Sequence, residues 1–168
     1  REAVRILVQL CDLLTYLHTR RPPVIHRDIK PQNVIIAPDG TVFLIDFDIA
    51  RKFDPMAVKD TVFMGTSATA PPEQYGYGQT DARSDIYSLG VTLYKLLTGR
   101  APFHGASPIE TLRRHVEEPP VPPSKAARAV PREADEIVLR ALEKDPARRF
   151  GSAEEMARSI KAALGIST

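Results

Sequence analysis

The chain has 168 residues, of which 43% are hydrophobic and 26% charged, and its formal net charge at pH 7 is only +2. These values are typical of one soluble globular domain with its own core, and they give no support for nucleic-acid binding. The single cysteine, Cys11, excludes a disulfide framework and a cysteine-based zinc site, and the four histidines have no metal-site spacing.

No apolar stretch reaches transmembrane length and no signal peptide is visible, so we expect no membrane segment in these residues. The expected location is therefore the cytoplasm, and an anchor elsewhere in the full-length protein stays open. The chain starts at Arg1, without a methionine and inside a helical pattern, which indicates a piece of a longer protein.

Hydrophobic periodicity predicts a mainly helical chain. The expected helices cover residues 1–20, 84–98, 108–117 and 132–143, with a last helix after a capping box at Ser152. The second of them has hardly any polar face, which is the pattern of a central buried helix. Gly99 supplies its stop.

Short apolar runs at residues 34–37 and 41–45 predict a small β-hairpin around a Pro-Asp-Gly turn. Residues 49–70 have no sustained period and predict a long loop. Residues 118–124 contain four prolines and predict an extended connector. The fold class is thus mainly α with one small β-hairpin.

The loop between the first helix and the hairpin contains residues suited to phosphoryl transfer. Asp28 is a proton acceptor, Lys30 a cation that offsets phosphate charge, and Asn33 a neutral oxygen ligand for Mg²⁺. Taken alone, an Asp-x-Lys pair in a loop is usually solvated surface charge.

Residues 26–33 match the His-Arg-Asp-x-x-x-x-Asn catalytic loop of protein kinases. Further markers of that family follow in its order: Asp46-Phe47, Gly65-Thr66, Pro72-Glu73, Asp85 and Arg149. The chain therefore resembles the C-terminal lobe of a protein kinase, most closely the eukaryotic-type (Hanks-type) serine/threonine kinases of bacteria.

The resemblance implies a catalytic role for three residues, Asp28, Lys30 and Thr66, a cofactor-binding role for Lys30, and a metal- and cofactor-binding role for Asn33 and Asp46. Asp28 would orient the substrate hydroxyl and accept its proton, with Lys30 near the transferred phosphate. Thr66 would hydrogen-bond both of them and help shape the substrate site. Asn33 and Asp46 would hold Mg²⁺, which bridges the ATP phosphates.

The resemblance also implies structural roles. Glu73 and Arg149 would form a buried ion pair across the lobe. Asp85 would hydrogen-bond the backbone near His26 and Arg27 and fix the catalytic loop to the central helix. His26 itself is interpreted as an orienting core histidine.

A regulatory role is predicted for Thr61, which lies in the long loop. A phosphate on this residue would bring negative charge and acceptor oxygens to Arg27, the residue before the catalytic aspartate. The alternative is that Thr61 is an ordinary solvated loop residue.

Two features depart from the family pattern. Asp48 stands where the family's Asp-Phe-Gly motif has glycine, which places a second carboxylate beside Asp46. The segment after Thr66 has Thr69 and Pro71 where relatives often have tyrosine and alanine.

The 168 residues contain no Gly-rich phosphate loop of this family. We therefore interpret residues 1–168 as the C-terminal lobe of a kinase catalytic domain, with the N-terminal lobe missing upstream. The expected cofactors are ATP and Mg²⁺, and the expected partners are that N-terminal lobe and a protein substrate with serine or threonine. The isolated lobe is predicted to be inactive.

Two alternatives stay open from the sequence. One is a pseudokinase-like binding module, which keeps the fold and is favoured by the Asp-Phe-Asp motif and the missing lobe. The other is a non-kinase helical domain in which the motifs occur by chance. A Gly-rich loop and a strand lysine upstream would favour the active kinase.

Overall fold

A computed structural model describes residues 2–54, 56, 66, 68–76 and 78–164. The described helices are α1 (Glu2–His18), α2 (Ala82–Thr98), α3 (Pro108–Glu117), α4 (Pro123–Ala126), α5 (Glu133–Ala141) and α6 (Ala153–Leu164). The described strands are β1 (Val24–Ile25), β2 (Val34–Ile36), β3 (Val42–Leu44) and β4 (Arg51–Lys52). In the described ranges no helix is long and apolar enough to cross a membrane.

Helix α2 lies at the centre of the molecule. Asp81 caps its first turn, because the Asp81 carboxylate accepts from the backbone N–H of Arg83 at 2.8 Å. Gly99 ends it in the left-handed conformation with φ of +71°. Every residue from 84 to 94 is buried, and the helix packs against α1, α4, α5 and α6. The first turns of α2 are therefore held rigidly, and Asp85 in the first turn has a fixed position.

The close approach of α2 and α5 depends on a glycine. A Cβ atom at Gly90 would lie 2.7 Å from the Cβ of Ala141, which is shorter than any real contact between such atoms. The missing side chain lets the two helices touch along their backbones, and α6 and α1 complete the core on the same side.

The hairpin formed by β2 and β3 is antiparallel, with Val34 opposite Leu44, Ile35 opposite Phe43 and Ile36 opposite Val42. Directly opposed residues point to the same face of a sheet. Val42 is 4% exposed and packs into the core. On the other face, Ile35 and Phe43 are 49% and 51% exposed, so this side of the hairpin presents apolar side chains to the outside.

The predicted fold class is confirmed, and the long helices and the hairpin lie within a few residues of their expected bounds. The extended connector predicted for residues 118–124 is partly wrong, because α4 begins at Pro123. Proline fits the first turn of a helix, because a backbone N–H at that position would have no acceptor within the helix. Proline content alone therefore did not distinguish a connector from a helix start.

The loop predicted for residues 49–70 is also partly wrong. Arg51 and Lys52 form β4, which pairs antiparallel with β1. The N–H of Phe53 extends this contact by donating to the carbonyl of Pro23 at 2.7 Å. A strand of two residues has no period to detect, and its partner lies far away in the sequence.

The capping boxes at the starts of α3 and α6 differ from the standard pattern. Ser107 accepts from the N–H of Glu110, but the Glu110 carboxylate bonds the N–H of Ala106 at 2.7 Å. Likewise Glu155 bonds the N–H of Gly151 at 2.7 Å rather than that of Ser152. Each glutamate thus reaches one residue farther back than the box requires.

Candidate active site

The loop after β1 is fixed to the central helix by one buried carboxylate. Asp85, in the first turn of α2 and 0% exposed, accepts from the backbone N–H of His26 at 2.9 Å and of Arg27 at 2.8 Å. The ring of His18 on α1 lies 2.8 Å from the same carboxylate. Three elements therefore meet at Asp85, and the backbone that precedes Asp28 has one fixed position.

This anchoring holds Arg27 in an unusual backbone conformation, with φ of +71°. A residue with a Cβ atom rarely adopts a positive φ, and such strain persists only where neighbouring contacts impose it. The Arg27 carbonyl also accepts from the side chain of Gln74 at 3.0 Å. The conformation turns the next residue, Asp28, toward the polar cluster described below.

Asp28 is the hub of a dense hydrogen-bond cluster. Lys30 Nζ lies 2.6 Å from Asp28 Oδ2, and Thr66 donates to Asp28 Oδ1 at 2.8 Å. Lys30 Nζ also donates to Thr66 Oγ1 at 3.0 Å. Asn33 donates to Asp28 Oδ2 at 3.1 Å and to the Asp28 carbonyl at 2.9 Å. Three side chains, one of them 38 positions away in the sequence, thus converge on one carboxylate.

These contacts determine the charge state of Asp28. Burial opposes its ionisation, but hydrogen bonds from Lys30, Thr66 and Asn33 outweigh that cost and lower the pKa of Asp28 below its usual value. The carboxylate is therefore ionised at neutral pH and accepts hydrogen bonds only. Such a group, close to a cation, can orient a hydroxyl beside a phosphate.

His26 connects this loop to the residues after β3. Its side chain is fully buried, its Nδ1 accepts from the N–H of Asp28 at 3.3 Å, and its Nε2 lies 3.2 Å from the carbonyl of Ile45. The ring also meets Phe47 edge-on, with 4.6 Å between centroids. Both ring nitrogens are thus used for positioning, which leaves none for acid or base chemistry.

Asn33 and Asp46 offer oxygen ligands at the same edge of the hairpin. Because the Asn33 amide nitrogen is committed to Asp28, the amide oxygen of Asn33 is left for another partner. Asp46 is exposed and has φ of +64°. Within the described ranges no three His, Cys, Asp or Glu side chains form a metal cluster. This oxygen pair therefore fits Mg²⁺ only if phosphate oxygens or water complete the coordination.

Asp48 is exposed, and its N–H points to Asp46 Oδ1 at 3.5 Å, the outer limit of a hydrogen bond. In the described part of the chain, Arg27 and Asp46 are the only residues other than glycine with a positive φ. The backbone of Asp48 thus lies outside the left-handed region. In this conformation, position 48 does not require glycine.

Glu73 and Arg149 form a fully buried pair, at 2.7 and 2.9 Å between their two oxygens and two nitrogens. The guanidinium also donates to the carbonyls of Arg83, Glu143 and Lys144. All five of its N–H groups therefore have acceptors. The oxygen of Ser84 adds a 2.7 Å hydrogen bond to the carboxylate of Glu73.

The structure thus brings together Asp28, Lys30, Asn33 and Thr66, and separately Glu73 with Arg149 and Asp85 with the backbone of residues 26 and 27. Thr61 lies outside the described residues. The contact of His18 with Asp85 was missed, although a histidine on the buried stripe of α1 was a visible signal.

Comparison with known proteins agrees with this geometry. The family model described as a protein kinase domain matches residues 1–160. Serine/threonine-protein kinase PknB of Mycobacterium leprae is 40% identical over 158 residues, which are 93% of this chain and 25% of that protein. PknB of Mycolicibacterium smegmatis is 41% identical over 159 residues, which are 93% of this chain and 25% of that protein.

A further relative is the probable serine/threonine-protein kinase SCO3848 of Streptomyces coelicolor, 42% identical over 164 residues, which are 96% of this chain and 24% of that protein. The chain spans about a quarter of the length of the curated relatives that it matches. The resemblance inferred from the ordered motifs is confirmed by a match that covers almost the whole chain. The chain belongs to the protein kinase family.

Proposed function

We propose that residues 1–168 form the C-terminal lobe of the catalytic domain of a protein serine/threonine kinase, which transfers the γ-phosphate of ATP to a serine or threonine hydroxyl. The observation that carries the proposal is the cluster around Asp28. Its ionised carboxylate, an ammonium group and a threonine hydroxyl lie within 3.0 Å of one another. The family membership and the names of the relatives support the same reaction.

In this proposal Asp28 accepts a hydrogen bond from the substrate hydroxyl and takes its proton as the bond to phosphorus forms. Its lowered pKa makes Asp28 a weak base, so its main contribution is orientation of the hydroxyl. Lys30 lies close enough to offset negative charge that develops on the transferred phosphoryl group. Thr66 holds the side chains of Asp28 and Lys30 together.

Asn33 and Asp46 are the residues that would hold Mg²⁺. Held there, Mg²⁺ would supply positive charge against the ATP phosphates. Asn33 fits this role because its amide nitrogen is fixed by Asp28, which orients its oxygen. Asp46 fits because its carboxylate is exposed beside the hairpin.

The exposed apolar surface on the hairpin supports the idea that a second lobe covers this edge. Four large hydrophobic side chains there are 39–51% exposed: Ile35, Phe43, Ile45 and Phe47. A patch of this kind is usual at an interface and unusual on a free surface. We infer that an N-terminal lobe packs on it and supplies the other wall of the nucleotide site.

Removal of the Asp28 carboxylate tests the reaction. In the full-length protein Asp28→Asn keeps the shape of the side chain and removes its charge. We expect kcat for phosphate transfer to fall about 100-fold or more, because positioned acid–base groups contribute on this scale. The exposed Asp12→Asn is the matched control and should leave kcat unchanged.

The outcome also decides between the kinase and the pseudokinase-like module that Asp48 favours. Transfer to serine or threonine that depends on Asp28 supports the kinase. A wild-type protein that binds partner proteins whether or not Mg²⁺ and ATP are present, and that transfers no phosphate when they are present, supports the binding module. Equal rates for Asp28→Asn and wild type would contradict the role given to Asp28.

A further inference from the structure

Lys144 is a half-buried lysine that the proposed reaction does not use. It follows α5, and its Nζ donates to the backbone carbonyl of His115 at 2.6 Å. The same nitrogen lies 3.9 Å from the ring centroid of Phe103 and 5.9 Å from that of Tyr87. One carbonyl and two aromatic rings therefore hold the amine in a fixed position.

The amine of Lys144 has no carboxylate in direct contact. In the described ranges no acidic side chain lies within ion-pair distance of it. The carboxylates that act on it from farther away have other partners: Glu118 pairs with Arg114 at 3.4 Å, and Glu143 pairs with Arg148 at 3.1 Å. A buried lysine is usually paired, so this contact set is unusual.

A second cation lies close to this lysine. The guanidinium of Arg149 stacks on the ring of Tyr87 at 4.8 Å, the ring that Lys144 also faces. Burial and the charge of Arg149 act more strongly than the charges of Glu118 and Glu143, and lower the pKa of Lys144 to about 8. At neutral pH a larger share of Lys144 than of an exposed lysine therefore has a free electron pair.

Lys144 also lines a cleft with mostly apolar walls. The cleft has a volume of about 300 Å³, and the residues that line it with Lys144 are Pro119, Pro120, Leu139, Leu142 and Glu143. A short apolar group attached to the amine could pack against the proline and leucine side chains instead of lying in water. A group with its own carboxylate would meet the charge of Glu143 in the same cleft.

We propose that Lys144 is an acylation site, which takes a short neutral acyl group from an acyl phosphate or an acyl thioester. The electron pair of Nζ attacks the acyl carbon and forms a C–N bond. The C–O bond of the acyl phosphate or the C–S bond of the thioester breaks, and its electron pair leaves with the phosphate or the thiolate. Nζ releases one proton to water. The product amide is uncharged and keeps one N–H for the carbonyl of His115.

Acylation of the full-length wild-type protein tests the proposal. One sample is incubated at pH 7 with acetyl phosphate and another with acetyl-coenzyme A, and peptide mass spectrometry measures the acetylated fraction of each lysine. The exposed Lys125 is the internal control, because a ratio of two sites within one sample cancels the reactivity of the reagent. We expect acetylation of Lys144 to be about 10-fold faster than that of Lys125, because its lower pKa leaves more neutral amine. The sample with the larger ratio identifies the class of acyl donor.

Two further measurements on the wild type test the chemistry of the site. The acetylation rate of Lys144 should level off above about pH 8, whereas that of Lys125 should rise up to about pH 10. Succinyl-coenzyme A carries a second carboxylate, so its ratio of Lys144 to Lys125 should be lower than the ratio with acetyl-coenzyme A. Equal ratios with these two reagents would overturn the assignment of a neutral acyl group.

A lysine that only holds the fold together would give a different result. Acetylation of Lys144 no faster than that of Lys125 with both acetyl donors, or rates at the two sites that rise in parallel up to pH 10, would overturn the proposal. None of these measurements requires phosphate transfer, so the acylation site and the kinase function fail separately. A protein that is acetylated at Lys144 but transfers no phosphate would contradict only the kinase.

Discussion

At the residue scale, two buried charged side chains of this lobe, Asp85 and Arg149, have a full set of hydrogen-bond partners. Asp85 has three donors, and Arg149 has five acceptors. Such groups are costly to bury without partners, so each fixes the position of the backbone that it contacts. The ordered motifs in the sequence identified these residues because each motif lies within one short segment.

Removal of Arg149 is expected to destabilise the fold strongly. Arg149→Ala leaves the carboxylate of Glu73 buried without its cation, which costs about 3–5 kcal/mol. For a domain of this size the melting temperature should fall by roughly 6–20 °C. Thermal melting of the intact protein measures this.

Arg149→Lys keeps the charge but has only three donors, so an intermediate loss is expected. The exposed pair of Arg158 with Glu154 supplies the control, because Arg158→Ala removes a solvated ion pair and should barely change the melting temperature. A shift near zero for Arg149→Ala would show that the buried pair does not hold the lobe together.

The second carboxylate at position 48 is expected to slow the reaction. Asp48 lies beside Asp46 and its negative charge opposes the approach of ATP phosphates, while its backbone does not need glycine. In the full-length protein Asp48→Gly should therefore raise kcat, with Mg²⁺ binding retained. Steady-state kinetics and a Mg²⁺ titration measure the two effects.

Asp48→Asn separates charge from backbone freedom. If repulsion is the cause, Asp48→Asn should raise kcat as much as Asp48→Gly does. Equal or lower turnover in both variants would show that this chain has adapted to the extra carboxylate.

Several geometric features at this scale could not be predicted from the sequence. The positive φ of Arg27 is maintained by contacts with residues far away in the chain, such as the hydrogen bond that its N–H donates to Asp85. The hydrogen bond between His115 and Tyr87 joins residues that are 28 positions apart. Neither residue type nor local spacing contains that information.

At the scale of elements, the sequence predicted the parts whose signal is local. Helix α2 was expected from a pattern with hardly any polar face, and the glycine stop at its end is present. The pairing of β1 with β4 and the short helix α4 were missed, because two to four residues give no periodicity. Long elements are thus encoded in their own residues, whereas short ones depend on tertiary partners.

The loop that contains Thr61 is expected to respond to phosphorylation. A phosphate there adds roughly −1.5 to −2 charge and three acceptor oxygens, and Arg27, beside the catalytic loop, is the expected partner. Thr61→Ala should then lower the activity of the full-length protein. Phosphopeptide mapping identifies the phosphorylated residue, and kinetics measure the activity of the variant. Thr41→Ala in the exposed hairpin turn is the control.

The prediction is contradicted if the active protein has no phosphate at Thr61 and Thr61→Ala has unchanged kinetics. Thr61 would then have no regulatory role. A loss of activity in Thr61→Ala that persists in a variant without Arg27 would show that the phosphate acts through another group.

At the scale of the whole molecule, the lobe has one polar working edge next to one apolar surface. The Asp28 cluster contains Asn33, which directly precedes the hairpin, and the exposed Asp46 and Phe47 follow the strand that carries the exposed Phe43. In the proposed site, these residues would contact the nucleotide only through the metal ion and the transferred phosphate. Catalysis of phosphoryl transfer depends on positioning, so a lobe that covers the rest of the nucleotide is expected to be essential.

The most direct measurement is radiolabelled phosphate transfer from ATP·Mg²⁺ by two polypeptides: residues 1–168 alone, and the same residues joined to the natural segment that we propose precedes them. The short chain should fold marginally, bind ATP·Mg²⁺ weakly and transfer no measurable phosphate. The long chain should label serine or threonine of a protein acceptor, and Asp28→Asn should abolish the label. Activity from the short chain would contradict the two-lobe account, and an inactive long chain would contradict the kinase function itself.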